Sequence, residues 1–190
     1  MNAKFNRLLN HLTRAGTAEP SPLPAFCFTT RAGDTIEIRA GTARHVPAVM
    51  AMIEQICALH RQWDKAKFGF VEDVVPMYAK WLAERARDPR SVFLVAMIDE
   101  RPIAFLIGVV ERAAPIYQPA SYGVIRDLWV DKNHRHEGVG ASLMHTAIER
   151  FKALGIEQIR LETAMPNESA RSFFASCGFR PSAVELLIEC

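Results

Sequence analysis

Closely spaced cysteines are missing from this chain. Its four cysteines, Cys27, Cys57, Cys177 and Cys190, are scattered and no C-x-x-C occurs among them. That spacing argues against a disulfide framework or a thiolate zinc site, and it suits buried or inert thiols in a reducing compartment. Long apolar runs are missing too. Stretches such as residues 103–110 stop far short of the roughly 18 residues that a membrane span needs, so no integral membrane protein is expected. Neither sign of charge is in excess: 23 Lys and Arg against 21 Asp and Glu leave a formal +2. Such a balance offers no general electrostatic hold on nucleic acid, so any anion site has to be local. No secretory signal pattern, internal repeat or low-complexity tract is evident, and a cytoplasmic location is the expectation.

What is present is enough apolar material for a sizeable core, 49% of 190 residues, which fits one ordinary domain or one domain with an arm. Residues 1–34 read as the arm and residues 35–190 as the domain. Within the arm, Phe5, Leu8, Leu9 and Leu12 recur at helical spacing among Lys4, Arg7 and Arg14 with no acid nearby. That pattern suits a short amphipathic helix that packs on the domain or on a partner subunit, so a homodimer is among the expectations. An organelle targeting segment has the same pattern. Pro20, Pro22 and Pro24 make a linker that can neither form helix nor pair in a ladder. After it, Phe26-Cys27-Phe28 and Ile36-Glu37-Ile38 flank a turn at Ala32-Gly33-Asp34, the pattern of a hairpin with an extra strand.

From residue 35 onward the periodicity alternates between strand and helix. Thr42 is read as the N-cap of a helix with Val46, Val49, Ile53, Ile56 and Cys57 on one face, and Asp73 as the start of a second that runs to about Arg87. Strands follow at 92–98, 103–111 and 122–130, the last after a loop at 112–121. A helix over 138–154 ends at Gly155. A strand through Ile159, Leu161 and Thr163 comes next, then a helix capped by Asn167 and ended by Gly178, and a closing strand at 184–188. The order predicts a mixed α/β fold with a largely antiparallel central sheet flanked by about four helices.

One segment carries chemistry. Asp127-Leu128-Trp129-Val130 leads through Asp131, Lys132, Asn133, His134, Arg135, His136 and Glu137 into Gly138-Val139-Gly140-Ala141, a strand running through a glycine turn into an amphipathic helix. The free N–H groups and positive dipole end of a helix start suit a phosphate. A P-loop would need G-x-x-x-x-G-K-[ST], which is absent. A dinucleotide fingerprint would need a small residue where Leu143 stands. What remains is R-x-x-G-x-G: Arg135, Gly138 and Gly140. His134, His136 and His145 have no recognisable ligand spacing, so no metal is expected. Cys177 lies on an apolar helix face without a placed base, which suits inert packing.

With these residues the sequence resembles the GCN5-related N-acetyltransferase (GNAT) superfamily, whose [Q/R]-x-x-G-x-[G/A] motif binds the pyrophosphate of acetyl-coenzyme A. Leu128-Trp129-Val130 is similar to the strand preceding that motif. Asn167, Ala170, Phe173, Phe174, Gly178 and Phe179 resemble a second family motif, and the likeness extends over about residues 35–188. It implies an N-acetyltransferase that moves an acetyl group to a primary amine, on a small molecule or a peptide, by direct attack in a ternary complex. Leu128, Trp129 and Val130 would pair through their backbone with the pantetheine arm. Arg135, His136, Glu137, Gly138, Val139, Gly140 and Ala141 would cradle the pyrophosphate, while Asn167 and Phe174 would contact the arm and the sulfur.

Two positions depart from the family pattern. Phe174 stands where a tyrosine commonly protonates the leaving thiolate, whose ordinary pKa of about 8.5 also lets it leave unprotonated. Arg126 stands where many relatives carry a glutamate. Asp127 is then the nearest carboxylate for a catalytic base, with Glu111 and Glu162 as substitutes and Tyr117 or Tyr122 as alternative acids. A non-catalytic domain that binds or senses acyl-coenzyme A is the alternative reading.

Overall fold

A computed structural model describes residues 25–30 and 33–189. The amphipathic helix and proline linker expected in the first residues lie outside the described residues, as does Cys190. The described chain forms β1 (Phe26–Thr29), β2 (Thr35–Ala40), α1 (Val46–Trp63), α2 (Val74–Arg85), β3 (Ser91–Ile98), β4 (Arg101–Arg112), β5 (Ser121–Val130), a 3₁₀ turn (Lys132–His134), α3 (Val139–Ala153), β6 (Ile159–Leu161) and α4 (Glu168–Ser176). The six strands lie in chain order in one sheet. Every neighbouring pair is antiparallel except β5 and β6. The parallel pair follows from connectivity, because only a long crossover, here α3, can return the chain in the same direction. β1 pairs with β2 from Phe26 opposite Ile38 to Thr29 opposite Thr35, so these residues of the arm belong to the sheet.

Helices cover both faces, which explains why the middle of β3 is buried without interruption. Val92, Leu94 and Ala96 join the core under α3 with Leu143, Met144, Ala147 and Phe151. Phe93, Val95 and Met97 join the core under α1 and α2 with Val49, Ile53, Ile56 and Leu82. Gly155 (φ 73°) and Gly178 (φ 91°) take the left-handed conformation just past α3 and α4, which stops those helices where the sequence pattern does.

Two expectations need correction. Thr42 is not the N-cap of α1. His45 holds that position, and the Thr42 N–H donates to His45 Nδ1 at 2.9 Å. The intervening turn still leaves Pro47 in the first helical turn, where its missing N–H forfeits no bond. The expected closing strand at 184–188 does not form either. Residues 180–189 are irregular, with Val184 83%, Leu186 91% and Ile188 85% exposed. Alternating apolar residues make a strand only where a neighbour supplies the ladder, and here Glu185 instead pairs with Lys67, beyond the end of α1.

Phe151 is the fully buried centre of the α3 contact, and its ring lies between two glycines of adjacent strands. A Cβ on Gly108 would fall 2.8 Å from Phe151 Cζ, and one on Gly123 2.9 Å from Cδ1. Gly108→Ala is therefore expected to destabilise the domain by about 1–3 kcal/mol through overpacking. The check is urea unfolding, with a lower midpoint at unchanged slope.

Candidate functional site

The site begins with one extra residue in β5. Ile107 of β4 stands opposite Asp127 and Gly108 opposite Ile125, so Arg126 is bulged out of the ladder. Side chains alternate along a strand, and an inserted residue reverses the alternation for everything after it. Ile125 packs under α3. Without the bulge Asp127 would follow it there; with the bulge, Asp127 and Trp129 turn toward α1 and α2, while Leu128 and Val130 pack on the α3 side.

The backbone changes phase as well. The Gly123 N–H donates toward β6, to Gln158 O at 2.8 Å, whereas past the bulge the Asp131 N–H donates to Ile103 O at 2.8 Å, beyond β4's end of the ladder. By the same alternation Trp129 spends its amides on β4, and Leu128 and Val130 direct theirs to the other side. β6 pairs only with Gly123, Val124 and Ile125, which leaves a gap in the ladder on that side at Leu128 and Val130. Val130 O accepts from Arg135 Nε at 3.1 Å.

The chain runs from the end of this gap to the start of α3. Asp131 accepts from the Asn133 N–H at 3.0 Å and starts the 3₁₀ turn. His136 (φ 65°) and Gly138 (φ 87°) then reverse the backbone. Gly138 is the N-cap, without a side-chain cap, and no acid occupies the first turn. Helical bonding begins with the Ser142 N–H on Gly138 O at 2.9 Å, so the N–H groups of Val139, Gly140 and Ala141 have no helical acceptor. A left-handed φ at Gly138 favours glycine outright. A Cβ at Gly140 would make only ordinary contact, 3.4 Å from Phe173 Cζ of α4, so packing alone does not demand glycine there. Arg135 reaches back over Trp129, its guanidinium carbon 4.9 Å from the ring centroid, and Glu137 Oε2 lies 3.2 Å from His134 Nδ1. Lys132, Asn133, Arg135 and His136 are the exposed side chains of this loop.

Asn167 caps α4, its Oδ1 accepting from the Ala170 N–H at 3.2 Å. Its Nδ2 is the group this side chain has for donating to a ligand. Phe174 packs between Phe173 and Phe179, at centroid distances of 5.3 and 6.1 Å, as an edge of the α3-side core.

On the opposite face Asp127 accepts a hydrogen bond from the Tyr78 hydroxyl of α2. Burial pushes its carboxyl above the ordinary range, opposed by that bond and by the nearby His60 and Arg126. The Tyr78 phenol is pushed well above its usual value by burial and by the Asp127 charge. His60 of α1 is pushed down by burial, with Asp127 opposing, and its ring stacks on Phe68 at 4.5 Å. Beside this group a cleft of about 400 Å³ is lined by Trp81, Arg85, Val109, Val110, Glu111 and Arg126.

The other carboxylates of the sequence reading are differently placed. Glu111 pairs with Arg126 and accepts from the Tyr122 hydroxyl at 3.4 Å. Glu162 is 87% exposed, 3.8 Å from Lys67. Tyr117 is exposed in the loop before β5. No cluster of three metal-ligating side chains occurs among the described residues, and none of their helices is long and apolar enough to cross a membrane. Tyr78 and His60 were missed in the sequence. The signal was there: Tyr78 lies on the stripe Val74-Tyr78-Leu82, and His60 extends Ile53-Ile56-Cys57 by one turn.

An uncharacterized N-acetyltransferase of Methanocaldococcus jannaschii is 28% identical over 107 residues, which make up 56% of this chain and 46% of that one. The chain thus spans about half the length of that curated relative. Among solved structures, a mutant protein of Bacillus halodurans superposes with a TM-score of 0.72 at 22% identity, covering 80% of this chain and 98% of that one. A predicted acetyltransferase of Clostridium acetobutylicum, solved with acetyl-CoA, gives 0.67 at 13% identity over 81% and 96%. Both share the mixed sheet and its flanking helices. The family model described as "Acetyltransferase (GNAT) family" matches residues 57–179, more than half of the chain and all of the strand, loop and helix just described, and the chain belongs to that family.

Proposed function

We propose that this protein transfers an acetyl group from acetyl-coenzyme A to a primary amine of a small molecule or peptide, by direct attack in a ternary complex. The observation that carries the reading is the gap in the ladder at Leu128 and Val130, followed along the chain by the uncapped amides of Val139, Gly140 and Ala141. An extended pantetheine arm fits the first, as an added strand would, and a diphosphate fits the second. The N-acetyltransferase relative and the acetyl-CoA held by a protein of the same fold support this choice.

In this reading the amine approaches from the α1 and α2 face, and Asp127 takes its proton as the new C–N bond forms. The C–S bond then breaks and the thiolate leaves unprotonated or takes a proton from water, since Phe174 has none to give. A gap-facing N–H of Leu128 or Val130 stabilises the charge on the carbonyl oxygen.

The test is thiol release from acetyl-coenzyme A over a panel of primary amines, with calorimetric binding alongside. Amine-dependent thiol release is the expected result. Binding should also raise the melting temperature, since a ligand at a hundredfold excess over its Kd contributes about 2.7 kcal/mol. The aromatic seat of Phe174, without a hydroxyl, favours a second reading in which the protein binds acyl-coenzyme A without turnover; binding with no thiol release for any amine would select it.

A further inference from the structure

Asp127 is held from several elements at once. Tyr78 of α2 hydrogen-bonds it, Cys57 and His60 of α1 and Arg126 of β5 are the titratable and charged groups facing it, and Arg126 is itself paired with Glu111 of β4. Among the described residues only the Tyr78 hydroxyl makes a hydrogen bond to this carboxylate, and it does so at Oδ2. Oδ1 is left for another donor. We infer that Tyr78 is a positioning residue for acetyl transfer, fixing the Asp127 carboxylate so that its second oxygen meets the incoming amine. This inference rests on the proposed role of Asp127 as the base.

The physical grounds are geometric first. The bulge at Arg126 turns Asp127 toward α2, and a single hydroxyl from that helix bonds its carboxylate. Tyr78 is itself held: its ring meets Trp81 edge-on at 5.1 Å, and it lies on the same helix face as the fully buried Leu82. The phenol also keeps its proton, since burial and the adjacent carboxylate both oppose ionisation. It therefore remains a donor over the whole working pH range. A donor to a carboxylate favours its charged form, so the hydroxyl opposes the upward push of burial on Asp127.

Tyr78→Phe removes one oxygen and keeps the ring. The expected result is that the acidic limb of the kcat/KM profile moves to higher pH. The high-pH plateau should fall about tenfold through kcat, with little change in the Kd for acetyl-coenzyme A. In the Asp127→Asn background the same change should have no further effect on rate, because a residue that acts through Asp127 has nothing left to act on. Fluorotyrosine at position 78 keeps the shape and makes a stronger donor, so it should move the limb to lower pH; it also serves if Tyr78→Phe does not fold. An unmoved limb in the folded variants overturns the positioning role. If Asp127→Asn keeps full activity, the base assignment itself fails, and this is a different outcome.

Discussion

Asp127→Asn is expected to lower kcat/KM for acetyl transfer about 10²–10⁴-fold, the range associated with loss of a general base, and to raise the melting temperature at neutral pH. Asparagine keeps the shape and, through its Oδ1, an acceptor for the Tyr78 hydroxyl, but it cannot take a proton from an amine. The stability effect has the opposite sign for an electrostatic reason. Burial holds the Asp127 carboxyl above its ordinary range, so the folded protein binds that proton more tightly than the unfolded chain. The stabilisation is fully present below the unfolded pKa and is lost as the pH rises through the higher folded value. At neutral pH the buried charge is a net cost to folding that asparagine does not carry. Melts of both proteins at pH 7 and near pH 4 check this: the advantage of Asp127→Asn should be present at the first and shrink at the second. A residue that costs stability where it supports chemistry is a common feature of active sites.

Ala141→Asp is expected to separate stability from cofactor binding in a similar way. Ala141 is an exposed residue in the first turn of α3, a turn that contains no acid and follows an N-cap without a side-chain bond. An aspartate there complements the helix dipole and is expected to add about 0.3–1 kcal/mol to the free protein. The same charge repels a diphosphate seated on the Val139, Gly140 and Ala141 amides. At about 4 Å the repulsion between unit charges is roughly 1 kcal/mol in water and roughly 4 kcal/mol at an effective dielectric of 20. Affinity for acetyl-coenzyme A should therefore fall roughly five- to a thousandfold, and less so at high salt. Ala141→Gln, longer but neutral, should keep most of it. Wild-type affinity in a folded Ala141→Asp protein would mean that the cofactor's phosphates do not sit at this helix start.

What the sequence determined by itself was whatever depends on local spacing. The stripe of α1, the glycine stops after α3 and α4, the Asn167 cap and the Gly138-x-Gly140 turn are each set within a few residues, so their pattern survives in one dimension. The hairpin strands were legible for the same reason. Thr42 misled because a capping residue type is also a good turn residue, and the turn to His45 won. The strand at 184–188 misled because a ladder needs a neighbour that no local pattern can supply.

Tertiary structure alone decided the two faces of β5. Asp127 and Ile125 are two residues apart and by alternation should share a face; the bulge at Arg126 separates them. That bulge exists only as a register shift against β4, so no spacing within β5 announces it. The same shift turns the amides of Leu128 and Val130 toward the gap left by the short β6. It also brings Asp127 to Tyr78 and His60, which lie 49 and 67 positions earlier in the chain. Periodicity could place those two on buried stripes, but which carboxylate they would meet depended on one unpaired residue in a neighbouring strand.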